Sequence, residues 1–206
     1  MKIKNEEKYL GKIALSNSVW VTDPSYDRKT WCLRHFNNVE PGQYHVLVGF
    51  CDCLSWGQRI AGLLAVHEQG AGDGEDWGFF KEPPFQIGVD SGQAGIFDES
   101  VFPEVKEKHT YWNDPGTFFG ECCILTSSTD QAGILNASHG AVCSSGIGDG
   151  VYDVYTSENK RGNIAGIFVD FRLVEEKDLF RRLYSMSLLR EKSPLLMTEG
   201  SLQRFY

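Results

Sequence analysis

The segment of residues 164–171, Ile-Ala-Gly-Ile-Phe-Val-Asp-Phe, constrains the fold more than any other part of the sequence. A strand at the surface of a sheet alternates apolar and polar side chains, whereas this segment is apolar on both of its faces. Such a strand belongs inside a sheet that is covered on both sides. A turn signal and a second strand-like segment precede it. We therefore predict a central β-hairpin of residues 151–156 and 163–171, entered through the turn Gly148-Asp149-Gly150.

Short apolar runs bounded by turn residues predict further strands along the chain. They cover residues 8–15, 19–22, 43–50, 58–68, 85–89, 94–97, 132–138 and 141–144. We expect residues 58–68 to pair with 43–50, although their apolar positions do not alternate cleanly and a helix is the alternative. Three segments stay open: residues 118–125 fit a buried helix or a strand, 27–36 a short helix or a loop, and 99–108 a short helix broken by Pro103.

Residues 175–192 carry the one clear helical pattern. Apolar side chains recur at helical spacing, acidic residues occupy the first turn, and Arg190 and Lys192 lie in the last. Ser193-Pro194 ends the helix. The chain is therefore predicted to be a strand-dominated α+β protein with a mostly antiparallel sheet or a sandwich. Its globular domain would cover residues 1–174, and the C-terminal helix and tail, residues 175–206, would dock on it.

Charge and composition restrict the function classes. The 206 residues contain 20 Lys and Arg and 28 Asp and Glu, a formal net charge of −8. An acidic chain repels phosphate backbones, so we expect no nucleic-acid partner. No segment has the roughly 20 consecutive apolar residues that a membrane span needs, and residues 1–7 lack the apolar stretch of a signal peptide. We expect a cytoplasmic protein without a membrane partner, whose six cysteines are thiols.

None of the motifs that would indicate catalysis or a cofactor is complete. Cys51 and Cys53 are one residue apart, and Cys122 and Cys123 are adjacent, whereas structural zinc sites usually need paired Cys-x-x-Cys knuckles. The glycine-rich residues 146–150 lack the lysine and the following helix of a phosphate-binding loop. The sequence therefore predicts no catalytic residue, no metal and no cofactor.

Three aspartates occur at turns: Asp23 before Pro24, Asp90 before Ser91, and Asp149 between two glycines. An aspartate at a turn ordinarily accepts a hydrogen bond from its own backbone, in an Asx-turn. The other interpretation is that turns at one end of a sheet converge, so that the carboxylates line one pocket and perform acid–base work or hold a cation. The candidate ligand-binding residues are then Asp23, Tyr26, Arg59, Asp90, Ser91, Asp149 and Tyr152.

Several blocks, in a fixed order between residues 19 and 172, match the pattern of a known family. They are EPGQYHV (40–46), QRIA (58–61), FQIGVDSG (85–92), GIFD (95–98), SGIGDGVY (145–152), and the closing Gly162 and VDF (169–171). The chain resembles the bacterial and phage family named domain of unknown function 4241. The resemblance implies a compact, strand-rich cytosolic domain and brings no established activity. Two features depart from the family pattern: Val151 stands where a small polar residue is usual, and residues 175–206 lie outside the matching region.

Two functions are compatible with these observations. The leading hypothesis is a cytosolic binding or interaction module with a protein or small-molecule partner, of a bacterial defence or toxin–immunity type. It rests on the lack of a complete catalytic set and on the acidic, aromatic-rich body. The alternative is a small-molecule hydrolase or a ligand-sequestering protein with an Asp-lined pocket. Residues 175–206 would either pack within the chain or form a homodimer, and the first is favoured because one apolar stripe suffices to cover a sheet.

Overall fold

The computed structural model describes residues 6–69, 84–105 and 114–192, which fold into two antiparallel sheets and two helices. The strands in chain order are β1 (Glu6–Leu15), β2 (Val19–Thr22), β3 (Arg34–Phe36), β4 (Gly42–Asp52), β5 (Gln58–His67), β6 (Phe85–Val89), β7 (Gln93–Asp98), β8 (Ala132–Ile134), β9 (Gly140–Ser144), β10 (Gly150–Glu158) and β11 (Ile164–Asp170). The helices are α1 (Phe118–Thr126) and α2 (Glu176–Lys192), and a short 3-10 turn covers Leu54–Trp56.

The strand order confirms the predicted strand-dominated α+β class. The six-stranded sheet runs β1-β4-β5-β11-β10-β6 and the five-stranded sheet runs β3-β2-β7-β9-β8. All pairs of named strands are antiparallel. The predicted hairpin is present as β10 and β11, with Asp153 opposite Asp170, and β5 pairs with β4 as expected.

The central strand β11 is buried at every position, as its composition predicts. Ile167 and Val169 belong to the core between the two sheets. Ala165 and Phe168, on the other face, pack into a second apolar cluster beneath α2. Both faces of the six-stranded sheet are therefore covered at this strand, which explains why its sequence does not alternate.

Helix α2 packs on the outer face of the six-stranded sheet. Its side chains Leu179, Phe180, Leu183 and Tyr184 are buried there. Leu179 lies over two glycines, since a Cβ on Gly49 or Gly62 would come within 2.3 or 2.9 Å of its side chain. The apolar stripe of α2 is thus used within the chain. The homodimer through residues 175–206 stays a prediction, and residues 193–206, expected to dock, lie outside the described residues.

The structure decides the three segments that the sequence left open and shortens one predicted strand. Residues 118–125 are a helix, begun by Thr117, whose hydroxyl accepts from the amide of Gly120. Residues 27–36 are a loop that ends in β3. The described part of the predicted helix 99–108 forms turns instead, because Asp98 accepts from the amide and the hydroxyl of Ser100 and directs the chain into a turn. The strand predicted at 132–138 ends at Ile134.

Between the described strands, four connections carry the chain from one sheet to the other, at residues 16–18, 37–41, 90–92 and 145–149. The turn at residues 16–18 separates β1 of the six-stranded sheet from β2 of the five-stranded sheet, and residues 90–92 separate β6 from β7 in the same manner. Strands that are consecutive in sequence therefore do not pair at these places. The crossing at residues 90–92 lies beside the end of β2 and organises the site described next.

Candidate functional site

A buried carboxylate joins the end of β2 to the crossing between β6 and β7. Asp23 is fully buried, and each of its oxygens accepts two hydrogen bonds. One oxygen accepts from the backbone amides of Asp90 and Ser91 at 2.8 and 2.7 Å. The other accepts from the hydroxyl of Ser91 and the amide of Ser25, both at 2.7 Å. Asp23 therefore forms the expected Asx-turn and also fixes a second turn 67 residues later in the chain.

The hydrogen-bonding sites of the Asp23 carboxylate are all occupied, which shows that Asp23 and Ser91 have a structural role. An ionised carboxylate offers about four lone-pair sites, and four protein donors occupy those of Asp23. The hydroxyl of Ser91 likewise donates its hydrogen to Asp23. Both residues thus position the turn that carries Asp90 and leave little capacity for a ligand.

Asp90 and Tyr26 lie side by side on top of this support. Asp90 is exposed, and Tyr26 is half-buried. Burial, and then the neighbouring side chains of Asp90 and Cys32, raise the pKa of Tyr26 well above its usual value. Tyr26 is therefore a neutral hydroxyl over the physiological pH range, next to the Asp90 carboxylate.

The loop that contains Tyr26 lies against β6. The carbonyl of Cys32 accepts from the amide of Gly88 at 2.8 Å. A Cβ at position 88 would come within 2.9 Å of the Cys32 sulfur, so the loop approaches the strand closely only because residue 88 is glycine. In the described part of the sheet β6 is an edge strand, and this loop covers its free side.

Between this loop, β6 and the start of β10 lies a cavity of about 660 Å³, which we call the edge pocket. Its charged lining residues are Arg34, Asp90 and Asp149, all exposed. Trp31, at 91% exposure, and Val151, at 51%, contribute apolar surface. The complete lining is Tyr26, Thr30, Trp31, Cys32, Arg34, Gln86, Ile87, Gly88, Val89, Asp90, Asp149, Gly150 and Val151.

The structure brings together part of the predicted site. Tyr26, Asp90 and Asp149 line the edge pocket, whereas Asp23 and Ser91 support it from within. The remaining two candidates, Tyr152 and Arg59, are absent from the lining.

Tyr152 holds the turn that presents Asp149. Its buried hydroxyl lies 2.9 Å from the carbonyl of Ser145 and 2.6 Å from that of Gly148. The hydroxyl of Ser145 also donates to the carbonyl of Gly148, at 2.7 Å. Tyr152 is thus a positioning residue for the turn. Arg59 lies at the start of β5, opposite Cys51 on β4.

Sequence reasoning missed Trp31, Arg34 and Gln86 as pocket residues. Trp31 lies in a loop and Arg34 begins the short strand β3. Their segment has no hydrophobic periodicity, so nothing in the pattern showed which way they point. One signal was available: Trp31 follows the polar run Arg-Lys-Thr, and a tryptophan in a polar loop indicates either a buried anchor or an exposed contact surface.

The cysteines lie apart from the edge pocket, except Cys32. The sulfurs of Cys51 and Cys53 are 3.1 Å apart, and burial, followed by that contact, raises the pKa of Cys51 to about 12.

Among the described residues no group of three or more His, Cys, Asp or Glu side chains is placed to hold a metal ion. Within the same residues no helix is long and apolar enough to cross a membrane.

Comparison with known proteins identifies the family. A family model described as "Protein of unknown function (DUF4241)" matches residues 14–169. The chain belongs to the DUF4241 family. The matched region contains every lining residue of the edge pocket and ends within β11, so α2 lies outside the DUF4241 match. No curated protein and no solved structure matches the chain.

Proposed function

We propose that this DUF4241 protein binds a small organic molecule in the edge pocket. The observation that carries the proposal is the cavity itself: its volume of about 660 Å³ lies within the range of small-molecule sites, about 300–1,000 Å³. Its wall combines apolar side chains with a few polar groups, which is the usual make-up of such sites.

The pocket favours ligand binding over hydrolysis, the other form of the Asp-lined hypothesis. A general acid or base works best when its pKa lies near the operating pH. Burial, and then Asp90, raise the pKa of Tyr26 away from neutrality, so the tyrosine hydroxyl supplies a polar contact rather than acid–base catalysis. Fixed polar groups orient a ligand and reduce the entropy lost on binding.

The pocket also changes the balance between the two sequence-based hypotheses. A ligand-binding protein now has a specific structural feature in its support. The protein-interaction module, including its defence or toxin–immunity form, rests on composition alone and remains the second hypothesis. A cytoplasmic location suits both.

Blocking the cavity tests the proposal. Val151 is half-exposed on β10 and lines the pocket, so Val151→Trp fills it without disturbing the core. Ile124, at 42% exposure on α1, lies outside the lining, and Ile124→Trp is the matched control. Both variants and the unaltered protein would be screened by ligand-observed NMR against a library of neutral, cationic and anionic aromatic fragments.

We expect fragments that bind the unaltered protein and Ile124→Trp but not Val151→Trp. Tryptophan is well tolerated on strands and has nearly the same helix propensity as isoleucine, so melting temperatures should be similar in all three proteins. Fragments that bind Val151→Trp equally well would place binding elsewhere, and a screen without any hit would contradict the proposal.

A further inference from the structure

The charges in the edge pocket favour a cation. Two carboxylates, Asp90 and Asp149, line it against one guanidinium, that of Arg34. The guanidinium carbon of Arg34 lies 5.6 Å from the centre of the Phe85 ring, so this cation already has an aromatic partner. The whole chain carries a net charge of −8, which adds a long-range attraction for cations.

The fold positions the turns that carry both carboxylates. Asp23 accepts from the amide of Asp90, and Tyr26 lies beside the Asp90 side chain. Asp149 lies in the turn that Tyr152 and Ser145 hold through the carbonyl of Gly148. Both carboxylates are exposed and line the pocket, so they keep lone pairs for a ligand. Turns that are already ordered lose less entropy on binding than mobile ones.

Trp31 supplies a flat surface in the same pocket. It is 91% exposed, and an indole that is left in water offers apolar area and a π-face to a ligand. Val151, half-exposed on the strand, adds apolar surface to the same cavity. The combination of an exposed indole with two carboxylates matches a molecule that has a flat ring and an amine.

We infer that the ligand of the edge pocket is an aromatic amine, with its ammonium group bound by Asp90 and Asp149 and its ring stacked on Trp31. The inference rests on the proposed function, because it names the ligand class of the same pocket.

Three indoles that differ only in their end group test the ligand class. Tryptamine carries an ammonium group, tryptophol a hydroxyl and indole-3-propionate a carboxylate. Affinities would be measured by titration calorimetry at two ionic strengths, about 0.02 M and about 0.3 M, because screening weakens charge pairs. We expect tryptamine to bind tightest, and to lose affinity at the higher ionic strength while tryptophol does not.

Charge-removing variants test the residues. Asp90→Asn and Asp149→Asn should each weaken tryptamine binding by about threefold to fivefold, the effect of a partly exposed charge pair, and leave tryptophol unchanged. Asp178→Asn is the control, since Asp178 is an exposed carboxylate on α2, outside the lining. Trp31→Ala should weaken all three probes, and Trp31→Phe should restore most of the affinity because it keeps a ring.

The outcomes separate the two proposals. Equal affinities for the three indoles, or tightest binding of the carboxylate, would overturn the amine assignment and, in the second case, point to Arg34. No binding of any indole would also overturn it. The proposed function would still stand in each case if other fragments bind and are lost in Val151→Trp.

Discussion

Replacing Asp23 should destabilise the protein more than replacing any exposed aspartate at a turn. The Asp23→Ala variant leaves the amides of Asp90, Ser91 and Ser25 and the hydroxyl of Ser91 without their acceptor. Asp23 itself is fully buried, so water does not simply take the place of the carboxylate. The two sheets also lose one of the contacts that connect the end of β2 with the crossing after β6.

The magnitude follows from the donors that lose their partner. A buried donor left unsatisfied costs about 1–3 kcal/mol. All four hydrogen bonds are partly buried, since Asp90 is exposed and Ser25 and Ser91 are half-buried, so water recovers part of this cost. We therefore expect Asp23→Ala to lower the free energy of unfolding by about 3–4 kcal/mol, a large share of the 5–15 kcal/mol typical of a domain. The melting temperature should fall by roughly 10 °C.

A second variant, the isosteric Asp23→Asn, tests whether the charged acceptor itself is needed. Asp23→Asn keeps one acceptor oxygen, but its NH₂ group would face two donors whichever way the amide is turned, since all four partners donate. We expect a loss of about 2–3 kcal/mol, so asparagine is not a conservative replacement here.

Urea denaturation followed by circular dichroism measures these losses, with Asp52→Ala as the matched control. Asp52 accepts a single exposed hydrogen bond, from the amide of Leu54 at 3.0 Å. Its removal should cost less than about 1 kcal/mol. If Asp23→Ala and Asp52→Ala lowered the free energy of unfolding equally, the hydrogen bonds of Asp23 would not be what holds the two turns together.

Two further predictions concern acid stability and the docking of α2. Burial tends to raise the pKa of Asp98, but hydrogen bonds from Ser100 and Ser16 outweigh burial and lower it. Because the pKa of Asp98 is lower in the folded chain than in the unfolded chain, ionised Asp98 stabilises the fold fully above the unfolded pKa of about 3.9. This contribution is lost as the pH falls below that value. Asp98→Asn removes the contribution, so the urea midpoint of the variant should depend less on pH on the acid side. Leu179→Ala should lower the free energy of unfolding by about 2–5 kcal/mol, a typical loss for a buried leucine, whereas Leu54→Ala, at 75% exposure, should change it little in the same urea assay.

The core of the fold was predictable because burial leaves a direct mark on sequence. Residues 164–171 are apolar on both faces and form the covered strand β11. The helical spacing of residues 175–192 likewise predicts α2, whose Leu179 and Leu183 are buried. In both cases one physical requirement, the removal of apolar area from water, decides the pattern at adjacent positions.

The sheet assignments and the pocket were not predictable for a different reason. A turn signal such as residues 90–92 shows that the chain bends, but it does not show whether the next strand pairs with the last one or joins another sheet. Asp23 has the local signature of an Asx-turn and forms one with Ser25, yet its bonds to Asp90 and Ser91 depend on a crossing 67 residues away. Single-sequence patterns contain no information on such long-range contacts.

The position of the edge pocket links it to the protection of a sheet edge. An uncovered edge strand pairs readily with other chains, and proteins commonly cover it with a loop. Here the loop that bonds Gly88 through Cys32 also supplies Trp31 and Tyr26 to the pocket wall. A ligand that contacts this loop therefore also holds it on β6, and it should stabilise the folded chain according to its concentration and affinity. Under the proposed function, binding in the pocket and covering of the edge would be one coupled property of the loop.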